Sequence, residues 1–576
     1  MSAVPALPEN TPLIANDGIT NGTTNGTAAP FKLHDEFIEN LRPLKVIVIG
    51  AGYSAHSYQY TFEPNHDWSS LYAPAREIQA YLERVAKKYS ADRFIKLSHE
   101  VVECRWDDAV AKWNVTVKSL TTGELIHDQS DVLISARGNL NNPSWPDIEG
   151  LNTFKGEVMH SAKWNEEYGT IMTVFYVDYQ LTCTRYDFTN KRIGVIGAGS
   201  SSIQIVPSLQ RISGTHVTTF VRSKTWISPS FGQQLWDKYG FEGFSIPPEL
   251  RKRFVDDPEY YAKFRLAVEE DGNGIHAVTI RGTPLQLGAK QMFEEHMKTR
   301  LEKAPHIFDT LLPSFSPGCR RLTPGPGYLE ALTQPNVAFV TSRITKISDN
   351  AIHTADGATH EIDALVCATG FHANTFPPFP VTGSNGLTLR EKWASRPVNY
   401  LSHSIAGFPN MFCMLGANSA IGSGSLTTMI ENVGDYVIKA IRKLQKEDIA
   451  CMVAKREREE DFSEYVDAYF KGTVFSEECN SWYKSKTDGA VVGLWPGSAL
   501  HCIEAMRSPR WEDFEYIYRD ELGTQDGQED ESGSEGVVDG EREDGARKRL
   551  RIDSMAVVDA RVGVKGGRGG RRGRIA

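Results

Sequence analysis

Arg192-Ile193-Gly194-Val195-Ile196-Gly197-Ala198-Gly199-Ser200-Ser201-Ser202 decides the fold. Small apolar residues run into a glycine turn and then into a polar helix start, the pattern of a buried strand turning into a helix. Gly197 makes the tight turn, and Gly199 lets backbone N–H groups approach a pyrophosphate. The unit continues as a helix over Ser200–Arg211 and a strand over His216–Val221. An earlier stretch repeats the opening: Val46-Ile47-Val48-Ile49 runs into Gly50-Ala51-Gly52-Tyr53-Ser54-Ala55. Two such turns in one chain predict an α/β protein with two Rossmann-like dinucleotide-binding domains, of the kind that hold a flavin and a nicotinamide.

The second unit also predicts which nicotinamide. Arg222 lies just past its second strand, 25 residues after Gly197, and Lys224 follows. An acidic residue there accepts the ribose 2′-hydroxyl of NAD, whereas a cation pairs with the 2′-phosphate of NADP. Ser202 at the third motif position is small enough for close helix–strand packing.

Outward from these units, the chain of 576 residues has room for two or three domains. Its apolar fraction of 40% and charged fraction of 24% are those of an ordinary globular protein. The net charge of −10 argues against a body that binds nucleic acid. No run of about 18 apolar residues exists and no signal peptide opens the chain, so a cytoplasmic protein without a membrane span is expected. The eight cysteines form no C-x-x-C pair and no metal-like cluster with histidine, which predicts reduced thiols and no metal site.

Residues 1–36 and 521–576 read as disordered. The tail is acidic and then basic, and its Gly/Arg run Gly566–Arg574 carries a minor alternative of RNA contact. Between them, helical periodicity marks Ala73–Ala91, and strand patterns mark Val101–Trp106, Trp113–Val117 and Asp131–Ser135. Residues 230–312 are mainly helical. Strands return at Val337–Val340, Ala364–Cys367 and Met411–Leu415, before a long helix from about Ser425 to Lys446.

Phe154, Gly156, His160 and Trp164 fit the pattern F-x-G-x-x-x-H-x-x-x-W. Further matches are Tyr58–Phe62 with Asp67-Trp68, Gly318-Cys319-Arg320-Arg321, Ala368-Thr369-Gly370-Phe371, and Gly407–Asn410 with Gly416–Ser419. On these motifs the chain resembles the flavin-dependent Baeyer–Villiger monooxygenases, class B flavoprotein monooxygenases of the secondary-metabolite type, over roughly Leu44 to Tyr518. The resemblance implies an NADP domain (190–312, with the helical segment) inserted into a discontinuous FAD domain (44–165 and 313–520). It implies FAD and NADPH as cofactors, and transfer of one oxygen atom from O2 to a small organic substrate, either a ketone or a heteroatom compound. Arg321 aligns with the catalytic arginine, with Arg320 as the alternative. Gly50, Gly52 and Ala55 would serve FAD; Gly197, Gly199, Ser200, Ser202, Arg222 and Lys224 would serve NADP. Thr369 and Gly370 would pack between the cofactor domains, Asn418 would lie in a flavin-contacting segment, and His160 would position domains.

Three departures stand out. Only residues 56–63 separate Ala55 from Pro64, too few for a crossover helix and second strand. An apolar, aromatic insert occupies Thr170–Asn190, and Arg137 stands where the family usually has threonine. The first departure leaves a second reading open, a catalytically dead NADP-binding protein.

Overall fold

The computed structural model describes residues 42, 44–49, 59–163, 186–230, 232–241, 244–372 and 376–522. In chain order its first half holds β1 (Val46–Ile49), α1 (Ala75–Lys88), β2 (His99–Asp107), β3 (Lys112–Ser119), β4 (Leu125–Ser130), β5 (Val132–Ser135), β6 (Glu157–His160), β7 (Arg192–Ile196), α2 (Ser200–Gln210) and β8 (His216–Phe220). Helices follow: α3 (Gln233–Tyr239), α4 (Pro248–Asp256), α5 (Pro258–Gly274), α6 (Pro284–Arg300), α7 (Pro305–Leu311) and α8 (Tyr328–Leu332). Then come β9 (Val337–Val340), β10 (Ile344–Ile347), β11 (Ala351–Thr354), β12 (Thr359–Glu361), β13 (Ala364–Cys367), β14 (Val381–Thr382) and α9 (Leu389–Lys392). The chain ends in β15 (Met411–Cys413), α10 (Leu426–Lys446), β16 (Ile449–Ala454), α11 (Arg456–Phe470), α12 (Ala499–Arg507) and β17 (Phe514–Tyr518).

Two parallel sheets carry the architecture. The larger has strand order β6-β13-β7-β8-β9, with neighbours parallel throughout. Ile193 and Val195 of β7 are fully buried, and α2 covers them with Ile203, Val206 and Leu209, three residues apart on one helix face. On the opposite face Gly194 is tightly approached: a Cβ there would sit 3.2–3.3 Å from the Cδ1 atoms of Ile352, Ile362 and Leu365. That close approach seats the antiparallel β10–β12 layer against the sheet.

This sheet draws its strands from three of the segments marked out on sequence. It takes β6 from inside 44–165, and β9 and β13 from inside 313–520, as well as β7 and β8 from 190–312. Parallel neighbours need long crossovers, so sheet partners come from distant sequence, and strand periodicity alone does not say which sheet a strand joins.

The smaller parallel sheet has order β1-β5-β15. Ile49 pairs with Ser135 and Cys413 pairs with the same residue, so all three carboxyl ends lie at one edge. α10 packs below it through Met429, Val433, Tyr436, Val437, Ala440 and Leu444, the apolar stripe of an amphipathic helix. β1 departs from the expectation of a fully buried strand: Val48 is 56% exposed. Parallel strands are ordinarily covered on both faces by crossover helices, and from Gln59 to Pro74 the chain forms no helix. That stretch instead packs on α1, α4 and α5, where buried Gln59 donates to the Tyr261 hydroxyl (2.8 Å) and Trp68 joins Tyr81, Phe254 and Phe264. The remaining strands form the antiparallel meander β2-β3-β4 edged by β14, and the ribbon β16-β17.

Candidate active site

The glycine turn after β7 is built from two glycines with opposite surroundings. Gly197 has φ +128°, and a Cβ there would lie 2.3 Å from the Ala368 carbonyl oxygen. Its N–H donates to the Phe220 carbonyl (3.1 Å), locking the turn between β8 and β13. Gly199, the N-cap of α2, has open space where its Cβ would point. Backbone N–H groups at the N-terminus of this helix therefore open onto free space that a diphosphate could approach. Ser200 hydrogen-bonds Thr323 (2.5 Å), fixing the helix start against the loop after Arg321. Ser202 is fully buried against the sheet, as its small size predicts. Arg222 and Lys224 are exposed just beyond β8, at the carboxyl edge of the same sheet. The turn and both cations fit an NADP diphosphate and 2′-phosphate.

Next to this turn lies a clamp of two linkers. Thr369 donates to the Ser144 carbonyl (2.6 Å), Ser144 N–H donates to the Gly370 carbonyl (2.9 Å), and His372 N–H donates to the Asn142 carbonyl (2.9 Å). Gly370 has φ +82°, which this turn demands. His160 is fully buried at the end of β6, its ring 5.2 Å from Trp145 and 6.2 Å from Phe371. Its Nδ1 accepts from Ala162 N–H (3.1 Å). Burial lowers its pKa, with the Ser144 and Gly370 backbone pulling the other way. The ring is thus held on the Trp145 and Phe371 side of the linker. The fingerprint glycine is equally physical: a Cβ on Gly156 would lie 2.4 Å from the Asp363 carbonyl and 2.5 Å from the Phe154 ring, which folds over it.

Arg320 and Arg321 follow α7 on a loop tied down at several points. Arg320 donates to the Lys224 carbonyl (3.2 Å) and stacks over Phe315, 5.2 Å from its centroid. Burial lowers its pKa. Arg321 is exposed. Of this adjacent pair, Arg320 braces the loop against Lys224 and Phe315, and Arg321 is the more exposed. The expectation that all cysteines are reduced is corrected here. Cys319 forms a disulfide with Cys479, Cα–Cα 6.4 Å, across 160 residues of sequence. Beside it Ser316 N–H donates to Glu477 (2.6 Å). No sequence spacing signals a pair so distant.

Asn418 has φ +58° and is nearly buried. Its amide donates to the Val491 (2.8 Å) and Leu494 (3.0 Å) carbonyls. These bonds hold the 416–419 loop in place. Beside this loop lies a polar core: His403 is fully buried, its ring 4.2 Å from Tyr436, and burial pushes its pKa down to about 3. No motif marks that residue. Gly50, Gly52, Ala55 and Trp164, most of the 170–190 insert, and the Gly/Arg tail lie outside the described residues. At the carboxyl edge of β1-β5-β15, however, a narrow cleft is lined by Ser135, Arg137, Cys413 and Gly416. Ligands of parallel α/β sheets bind at that edge, so the position fits FAD.

Together these features define a protein with two parallel sheets and a pair of linkers, 142–144 and 369–372, clamped by hydrogen bonds. No family model matches the chain. It is 35% identical over 473 residues to the FAD-binding monooxygenase tazF of Aspergillus terreus, covering 82% of this chain and 80% of that protein. It is 34% identical to the FAD-binding monooxygenase moxY of Dothistroma septosporum (81% and 72%). It is 28% identical to a Baeyer–Villiger monooxygenase of Pseudomonas aeruginosa (77% and 78%). Among solved structures, oxidised steroid monooxygenase bound to NADP aligns with a TM-score of 0.64 at 25% identity, over 80% of this chain and 89% of that one. Cyclohexanone monooxygenase of Rhodococcus aligns with a TM-score of 0.66 at 21% identity (81% and 90%). The chain belongs to the FAD-binding monooxygenases of Baeyer–Villiger type.

No described helix is long and apolar enough to cross a membrane.

Proposed function

We propose that this chain is an NADPH- and FAD-dependent monooxygenase that inserts one oxygen atom from O2 beside the carbonyl of a small ketone. The observation that carries the reading is the open Gly199 cradle with Arg222 and Lys224 beyond β8, in a chain that belongs to the flavin monooxygenases. The family supports catalysis over a dead NADP-binding protein. The relatives named Baeyer–Villiger, steroid and cyclohexanone monooxygenase favour a ketone over a heteroatom substrate. A cytoplasmic setting, with its NADPH supply, belongs to the same reading.

Bound FAD supplies hydride acceptance and oxygen activation. The protein's own residues do the rest. The α2 N-terminus holds the NADPH diphosphate, and Arg222 and Lys224 hold the 2′-phosphate. Arg321 offers a cation to the oxyanion that develops on the substrate carbonyl. Arg320, bonded to Lys224, keeps that loop in register with the NADPH loop. His160, Thr369 and Gly370 hold the linkers on which the two sheets meet.

The test is the visible spectrum of the purified protein with added FAD, followed by product analysis on a ketone panel. A flavin spectrum that bleaches with NADPH, returns in air and yields an ester or lactone is expected. Oxidation of sulfides or amines with ketones untouched would overturn the ketone assignment. Failure to take up FAD would overturn the whole reading. In an active enzyme, Arg321→Ala is expected to cut product formation by about 100-fold or more while NADPH oxidation persists.

A further inference from the structure

The disulfide between Cys319 and Cys479 joins two loops that are tied to different parallel sheets. Cys319 sits in the loop 312–327, between α7 and α8. That loop is bonded to the segment after β8: Trp226 Nε1 donates to the Phe315 carbonyl (2.8 Å), Ser228 N–H to the Thr323 carbonyl (3.2 Å), and Arg320 to the Lys224 carbonyl (3.2 Å). Cys479 sits in the loop 471–498, between α11 and α12. Here Asn418 N–H donates to the Val492 carbonyl (2.7 Å) and Ala420 N–H to the Gly493 carbonyl (2.9 Å), beside the Asn418 amide bonds to Val491 and Leu494. Gly416 and Ala417, just before Asn418, line the cleft at the carboxyl edge of β1-β5-β15.

The two loops also touch without a covalent bond. Ser316 N–H donates to Glu477 (2.6 Å), and a Cβ on Gly318 would lie 3.2 Å from Val474. The disulfide adds a fixed length to these contacts, one residue before Arg320 and two before Arg321. Cys319 is fully buried and Cys479 half-buried, so an external thiolate reaches the bridge from the Cys479 side. The free cysteines among the described residues are all buried. In the cytoplasmic setting proposed above, a disulfide is ordinarily redox-active rather than permanent.

We propose that the Cys319–Cys479 bridge is a thiol-exchange site that controls the placement of the arginine loop. Oxidised, it holds 312–327 against 471–498. Reduced, it lets the two loops part and uncouples NADPH oxidation from oxygen transfer. The reductant is a dithiol. One of its thiolates attacks Cys479 Sγ, the S–S bond breaks, and its electron pair leaves on Cys319 Sγ, which takes a proton. The second dithiol sulfur then displaces Cys479 as a thiol. The protein gains two electrons and two protons, and the dithiol becomes a disulfide. Cys319 and Cys479 are positioning residues, acting through the arginines beside them. The catalytic part of the inference rests on the monooxygenase reading above.

The experiment compares full-length protein before and after treatment with dithiothreitol, which is then removed, and after re-forming the bridge with oxidised glutathione. Mass spectrometry of peptides reads the Cys319–Cys479 link. Hydrogen exchange reads backbone opening, with or without flavin. In the FAD-loaded enzyme, product formed per NADPH oxidised reads coupling. On reduction, exchange is expected to rise in 312–327 and 471–498 and to stay flat in β7 and α10. Coupling is expected to fall by about fivefold or more, with NADPH affinity and the flavin spectrum unchanged, and to return on reoxidation. Cys479→Ser is expected to show the low coupling from the start and no response to the dithiol. A bridge that resists the dithiol would overturn the proposal. So would coupling that stays within about twofold on reduction, or exchange that rises throughout the chain, the mark of a merely structural bond. If the parent takes up no FAD, the monooxygenase reading falls while the exchange measurement still decides the switch, and flat exchange in both loops overturns it.

Discussion

Gly197 and Gly199 stand two residues apart in one motif, yet the structure gives them different work, and a pair of alanine substitutions separates the two. At Gly197 the backbone has φ +128°, and the new Cβ would lie 2.3 Å from the Ala368 carbonyl oxygen. Ordinary contact begins at 3.4 Å, so the end of β7 or β13 must shift by about 1 Å, in a core packed too densely to absorb it. Backbone strain and overpacking each cost about 1–3 kcal/mol, so Gly197→Ala is expected to destabilise the protein by about 3 kcal/mol. The thermal midpoint should drop by about 5 °C. At Gly199 the Cβ enters open space, and the exchange of glycine for alanine at an N-cap costs about 1 kcal/mol or less. That Cβ nevertheless fills the diphosphate cradle, so NADPH affinity should fall by at least about tenfold, 1.4 kcal/mol. Thermal unfolding and NADPH titration of both variants read the two effects. A Gly199→Ala protein as unstable as Gly197→Ala, or one that binds NADPH like the parent, would refute the division.

Other consequences are equally measurable. Replacing both Arg222 and Lys224 with alanine should raise KM for NADPH by about 10–100-fold and leave that for NADH unchanged, since each loses a charge-assisted phosphate bond. His403 has a folded-state pKa of about 3 against 6.5 unperturbed. The unfolded chain therefore binds a proton that the folded chain refuses, and stability falls as pH drops below 6.5, by about 2 kcal/mol at pH 5. His403→Phe should flatten that slope in midpoints measured between pH 7 and pH 5. Glu459, 2% exposed, pairs with Lys392 (2.5 Å) and accepts from Ala406 N–H (3.0 Å). Glu459→Gln leaves the Lys392 charge without its partner and should cost about 3 kcal/mol in denaturant unfolding.

The sequence by itself determined the units whose signals are local. β7, β9 and β13 occupy the residues read as strands, and α2 and α10 end within a residue or so of their expected limits, because period and capping act over a few neighbours. The strand–turn–helix over Arg192–Gln210 was legible because its glycines and small residues constrain both spacing and residue type. The short stretch after Ala55 was legible as an anomaly from chain length alone.

Tertiary structure decided what depends on residues far apart in sequence. Only the pairing of β13 with β6 and β7, and of β9 with β8, brought these distant strands into one sheet. Only folding brought Cys319 to Cys479, Thr369 to Ser144, and Arg320 to the Lys224 carbonyl. It also set apart two adjacent arginines, Arg320 half-buried over Phe315 and Arg321 exposed. Local sequence encodes which backbone shape a segment prefers. Which segments then meet is set by burial and hydrogen-bond satisfaction over the whole chain, and no window of sequence contains that sum.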